Sequence, residues 1–193
     1  MRGVTSARRV VIGIGLILAV ACGSGGQDAT TLDSPSITQN VLTRLVDPLD
    51  DPGHYCIDVV GFGSGARFRD ALQAHTCKAA DNRDQQFTQR TQTGQLYMEE
   101  YRLCLQPENL APGSELYLRE CSDSPLQSFD FFGDGTIRVG EAGPGQLCLA
   151  VAPGDGEVIN PIHMRRDLSI EACDATEPNL MEWLLSAESP ERN

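Results

Sequence analysis

The sequence predicts an all-β domain in which three imperfect copies of one unit close into a three-fold trefoil. Three observations predict it. Short strand-like runs recur between turn residues, and no segment offers a long capped helix. Each copy opens with a cysteine and an aliphatic residue: Cys56-Ile57, Cys104-Leu105 and Cys148-Leu149. Each carries a second cysteine followed eight or ten residues later by an aromatic: Cys77 to Phe87, Cys121 to Phe129, Cys173 to Trp183. The opening cysteines stand 48 and 44 residues apart. A unit of that size cannot bury its apolar face alone, whereas three stacked copies share one core.

The chain begins outside this pattern. Arg2, Arg8 and Arg9 precede an unbroken apolar and glycine run, Val10 to Val20, which ends in Ala21-Cys22. Basic, apolar, then small is the order of a secretory signal, here residues 1–21. The run is too short to span a hydrocarbon core of about 30 Å comfortably. Leu18-Ala19-Val20-Ala21-Cys22 resembles the lipobox of bacterial lipoproteins, with Ala19 where a larger aliphatic is usual. The resemblance implies that Cys22 becomes the acylated N-terminus of an exported, membrane-anchored protein of the cell envelope. Cleavage near Ala21 without acylation is the competing reading. Two or more acyl chains would hold firmly, since each buried CH₂ contributes about 0.8 kcal/mol. Residues 22–39 are mostly small and polar, a composition that reads as a flexible linker. The trefoil is expected over 40–186, with a polar tail at 187–193.

Charge narrows the partners. The whole chain carries −12 at neutral pH. Loss of the signal removes three of its 15 basic residues and none of its 27 acidic ones, leaving about −15. Such a surface repels phosphate backbones, so nucleic acid is excluded as a partner. With Cys22 set aside, six cysteines remain: Cys56, Cys77, Cys104, Cys121, Cys148 and Cys173. An even number in an exported chain reads as disulfides, although six cysteines allow about 15 pairings. No Cys-x-x-Cys occurs, so neither a zinc knuckle nor a redox motif is supported.

The strands follow in order. Unit one reads as Tyr55 to Val60, Leu72 to Cys77, Gln85 to Arg90 and Gln95 to Glu100. Unit two reads as Arg102 to Gln106, Glu115 to Cys121, Ser128 to Phe132 and Thr136 to Val139. Unit three reads as Gln146 to Val151, Leu168 to Cys173 and Glu182 to Leu185, and the sequence leaves no room for a fourth strand. Near the aromatic, the units read Gln85-Gln86-Phe87, Gln127-Ser128-Phe129 and Met181-Glu182-Trp183. This phased Gln-x-aromatic pattern over residues 40–186 resembles the ricin B-chain type of β-trefoil lectin. Asp134 to Arg138 looks like that family's turn and fourth strand. The resemblance implies three disulfides, each within a repeat: Cys56–Cys77, Cys104–Cys121 and Cys148–Cys173. It also implies that an N-terminal strand closes the barrel, a role that Val41, Leu42, Leu45 and Val46 fit.

A sugar site of this family needs an Asp after the first cysteine, an aromatic before the second, and an amide beside the Gln-x-aromatic. The carboxylate accepts from hydroxyls, and an amide both donates and accepts. Unit one matches best. Asp58, Gln73 and Gln85 fall on the matching positions, His75 replaces the stacking aromatic, and Asp84 replaces the usual Asn. Unit two has Gln106 and Arg119 at the Asp and aromatic positions; unit three has Ala150 and Glu171. At most one sugar site, in the first repeat, is therefore expected, built from Asp58, Gln73, His75, Asp84 and Gln85.

Other signals fail their context tests. Gly61 to Ala66 looks like a dinucleotide loop, but no helix pattern follows it. His54, His75 and His163 lack metal spacing, and Asp50-Asp51 and Glu99-Glu100 lack a reason to pair across a sugar. The expectation is a monomeric, non-catalytic lipoprotein without cofactor or metal, binding a galactose-like or other pyranose. The alternative is a degenerate trefoil serving as a protein-interaction or structural envelope module. A trefoil protease inhibitor is a weaker third, with no marked reactive loop.

Overall fold

A computed structural model describes residues 38–140, 143 and 145–188. The expected signal 1–21, the expected acylation site Cys22, nearly all of the expected linker and the end of the expected polar tail lie outside these residues.

Unit one comprises β2 (Tyr55–Asp58), β3 (Gln73–Thr76), β4 (Gln86–Arg90) and β5 (Gln95–Met98). Unit two comprises β6 (Leu103–Pro107), β7 (Ser114–Arg119), β8 (Phe129–Phe131) and β9 (Ile137–Val139). Unit three comprises β10 (Leu147–Val151), β11 (Glu157–Asn160), β12 (His163–Ala172) and β13 (Trp183–Ser186). Its barrel partner is β1 (Thr38–Leu45), from the other end of the chain.

Six of these strands form a closed ring. β13 pairs β1, β1 pairs β4, and β4 pairs β5. β5 joins β8 where the Phe129 amide donates to the Gly94 carbonyl (2.9 Å). β8 pairs β9, and β9 returns to β13 through the Thr136–Glu182 bridge and the Trp183 amide on Gly135 O (2.7 Å). Gly94 is required at its junction. Its φ is +71°, and a Cβ there would lie 3.0 Å from the Phe129 backbone, which favours the residue without one. The remaining hairpins β2–β3, β6–β7 and β10–β12 cap the ring. Closure removes free sheet edges from the barrel.

The three-fold equivalence is visible in the register. Cys56 faces His75, Cys104 faces Arg119, and Cys148 faces Glu171. In each hairpin the second cysteine lies two residues beyond that partner. Cysteines in this relation share one face of the sheet, and all three repeats form the internal disulfide: Cys56–Cys77, Cys104–Cys121 and Cys148–Cys173. The opposite faces supply one core shared by all units, including Leu45, Ile57, Phe87, Leu105, Phe129, Leu149 and Trp183.

Two sequence expectations need correction. The third unit's second strand was expected at Leu168 to Cys173; β12 instead starts at His163 and spans 10 residues. β11 was not expected at all. Its four residues are exposed, so it has no hydrophobic alternation of the kind that reveals a half-buried strand. What the sequence does offer is Val158-Ile159 and Ile162 about Asn160-Pro161, β-branched residues around a turn pair.

Candidate functional site

The site begins with the pleat of β2 and β3. Asp58 pairs directly with Gln73, and Cys56 with His75. Alternation sends Ile57 and Ala74 into the core and Asp58, Gln73 and His75 together to the other face. The first repeat therefore gathers its three polar residues without a loop. The Cys56–Cys77 bridge on the same face fixes the hairpin's end.

Gln85 lies beneath this face. Its Oε1 accepts from the Lys78 amide (2.8 Å), and its Nε2 donates to Thr76 O (3.1 Å). The amide thus straddles Cys77. Gln127 repeats the arrangement around Cys121, accepting from Ser122 N (2.9 Å) and donating to Glu120 O (2.9 Å). Both glutamines are fully buried. Gln85 was expected among the sugar-contacting residues; the structure gives it no surface and makes it a brace that also hydrogen-bonds Asp58. In unit three Met181 occupies the equivalent place and makes no such clamp. The aromatics two residues on, Phe87, Phe129 and Trp183, all enter the core. The Trp183 Nε1 donates to Leu149 O (2.9 Å).

Sequence reasoning missed the residue at the centre. Lys78, immediately after Cys77, sends its ammonium between the two carboxylates. Its Nζ donates to Asp58 Oδ1 at 2.9 Å and Asp84 Oδ2 at 2.6 Å. His75 Nδ1 lies 3.3 Å from Asp58 Oδ2 and 3.1 Å from Thr76 O. Asp84 Oδ1 is buried with no hydrogen-bond partner among the described residues. Two carboxylates share one ammonium, so the cluster is a charge short. Burial pushes the Asp58 carboxyl up, and the Asp84 charge adds to this against the pull of Lys78, reaching about 7. Burial holds the His75 imidazole down at about 4. All five expected residues are therefore gathered, but Asp58 is only 1% exposed.

The cluster floors a cleft of about 1440 Å³. One wall is the loop after β2. Gly61 has φ +94°, and a Cβ there would meet Gly65 O at 2.4 Å. That tight closure presents Phe62 at the rim, 62% exposed, with the Lys78 ammonium 5.8 Å from its ring. The glycine-rich run is thus a platform for an aromatic side chain. The loop Lys78 to Asn82 also lines the cleft, held by Asn82 Nδ2 on Lys78 O (3.0 Å) and Gln86 Nε2 on Asn82 Oδ1 (2.9 Å). The rejected pair Asp50-Asp51 proves structural. Asp50 accepts from Tyr55 Oη (2.8 Å), Arg166 Nη2 (2.6 Å) and Gly156 N (2.7 Å). Burial alone would raise the Asp50 carboxyl, but these donors outweigh it and hold it at about 2.

No family model matches the sequence, and no curated protein matches it. Solved structures do match. The β-trefoil lectin of the Vibrio vulnificus hemolysin/cytolysin, solved with N-acetyl-D-lactosamine bound, superposes with a TM-score of 0.54 at 14% identity, covering 81% of this chain and 98% of that one. The agglutinin of Abrus precatorius gives 0.55 at 18% identity over 76% of this chain and 48% of that one, so this chain spans about half of it. The designed three-fold symmetric protein ThreeFoil gives 0.52 at 14% identity, covering 77% and 98%. At these identities the likeness establishes the β-trefoil fold.

Proposed function

We propose, for a chain with the fold of the β-trefoil lectins, that it is a non-catalytic glycan-binding protein with one site, in the first-repeat cleft. One observation carries the reading. Among the described residues, only the first repeat sets a carboxylate, an amide and an imidazole on one hairpin face and lines the same cleft with an ammonium and an exposed aromatic. At the Asp and aromatic positions the other repeats carry Gln106 with Arg119, and Ala150 with Glu171. In this reading Gln73 donates to and accepts from sugar hydroxyls, Lys78 donates, and Asp58 accepts. Phe62 replaces His75 as the surface on which the apolar face of a pyranose stacks. A hydroxyl reaching Asp58 must share or displace the Lys78 ammonium. That ion pair is also the observation behind a second reading, a degenerate trefoil in which Lys78 substitutes permanently for ligand and the domain serves as an interaction or envelope module.

The full oxidised chain on a glycan array, beside Asp58→Ala, separates the two. Lys78 keeps Asp84 in the variant, so the fold survives. Binding that disappears with Asp58 identifies a lectin and its sugar class. Silence from a folded wild-type chain favours the degenerate module. We further propose that the protein is exported as a monomer and held at a membrane through acylated Cys22. A Cys22→Ser chain is expected in the soluble fraction, and persistence with membranes would defeat the anchor.

A further inference from the structure

The β11–β12 hairpin belongs to the third repeat, yet it docks beside the first repeat's cluster. The N-terminal extension of β12 pairs β3: Arg165 faces His75, Arg166 faces Ala74, and Asp167 faces Gln73. On its other edge β12 takes β11, with Glu157 facing Arg165. One row therefore crosses four strands: Cys56, His75, Arg165, Glu157. Residues in register on adjacent strands share a face, so the polar floor continues past β3. His163, two residues before Arg165, joins it, its ring 5.0 Å from that of His75. Glu157 accepts from Arg165 Nε (2.7 Å), which ties the two strands of the hairpin together.

Beyond this row the chemistry changes. β11 shifts register between Val158 and Asn160, and such an irregularity re-aims a side chain. Ile159 and Ile162 both line the cleft, 46% and 62% exposed. Two apolar side chains thus end a floor whose other end is Asp58, Gln73 and Lys78. Neither of the other repeats carries an added strand between its two hairpin strands. The cleft's 1440 Å³ exceeds the about 300–1,000 Å³ typical of a drug-sized ligand, so one pyranose does not fill it.

Building on the lectin reading, we infer that this hairpin is a specificity element, and that the cleft takes a glycan of two or more residues. One unit sits over Asp58, Gln73 and Lys78, and the next places an apolar substituent, an N-acyl group, against Ile159 and Ile162. The small apolar area suits an acyl methyl rather than a protein segment, and it is continuous with the polar floor that would hold the ring beside it.

The test uses the full chain and its Ile159→Ser/Ile162→Ser variant on an array of matched glycans, N-acylated and unsubstituted, with thermal melts of both proteins. Both substitutions are on the surface, so the melting temperature is expected to stay within experimental error. The variant is expected to lose about tenfold in affinity for N-acylated glycans, the effect of re-exposing roughly one apolar group, and to keep its binding of unsubstituted ones. Wild-type binding with no N-acyl preference, or a preference unchanged in the variant, overturns the inference and leaves the lectin reading standing. A folded wild-type chain that binds no glycan overturns both.

Discussion

At the residue scale, Asp58 and His75 are neighbours whose burial acts in opposite directions on stability. Asp58 titrates near 7 in the folded chain against 3.8 ordinarily. An acid raised in this way contributes stability that is fully present below 3.8 and is lost as pH rises through 7. His75 titrates near 4 against 6.5 ordinarily. Its neutral form is the one the fold accepts, so its contribution is present above 6.5 and is lost as pH falls through 4. Between those limits the two trends oppose, and the wild-type stability profile is expected to be flat. Asp58→Asn removes the first trend, and its melting temperature should climb from pH 4 to 7 relative to wild type. His75→Gln removes the second, and its melting temperature should decline over the same range. Thermal melts in matched ionic strength decide it: variants that both track the wild-type curve would show that neither group is perturbed by the site. Lys78 explains why the sequence did not reveal this balance. A lysine after a cysteine carries no motif, and only the folded loop brings its ammonium within 2.9 Å of Asp58, 20 residues away.

At the scale of elements, the buried glutamine is what makes a hairpin end rigid. Gln127 holds Ser122 N and Glu120 O on either side of Cys121, and its Nε2 also donates to Gln106 Oε1 (2.9 Å). Replacing it with Met, the residue that unit three uses at 181, leaves those backbone groups without this partner. Each hydrogen bond lost costs about 0.5–1.5 kcal/mol net, since Glu120 and Ser122 are exposed and water can partly replace it. Gln127→Met should therefore lower the melting temperature by about 6 °C or more, at about 3 °C per kcal/mol for a domain of this size. A loss below about 1 °C would mean that water or a backbone shift replaces the clamp. These elements were largely legible in the sequence, because cysteine spacing and alternation are local signals that the trefoil repeats. The hairpin β11–β12 was not. Val158 and Ile159 stay exposed, so no burial pattern marks the strand, and its place beside His75 comes from pairing across 90 residues. The same limit hid Phe62, whose exposure follows from the turn that Gly61 and Gly65 make.

At the scale of the whole molecule, stability rests on closure. β1 and β13 come from opposite ends of the domain, yet Leu45 faces Trp183 and Thr43 faces Leu185. β1 also pairs β4, placing Val41 opposite Phe87. The main core draws on all three units, and unit three adds only a small cluster of its own around the Cys148–Cys173 bridge. Each disulfide closes a loop of 17 to 25 residues within one repeat. Such bridges contribute about 2–4 kcal/mol apiece by restricting the unfolded chain, but none links one unit to another. Cooperativity between units must then come from the barrel strands, the shared core and the pairing of β12 with β3 and β7. Trp183 is the sole tryptophan and sits in that core, so its fluorescence reports on unit three while far-UV circular dichroism reports on every strand. In urea with the disulfides intact, the two signals are expected to trace one coincident transition, the mark of all-or-none unfolding. A chain beginning at Pro48 lacks β1, leaves β13 and β4 with an unpaired edge, and should show neither transition at 25 °C. Separate transitions in the full chain, or a cooperative one in the shortened chain, would show that repeats two and three fold without closure and that the N-terminal strand is an accessory.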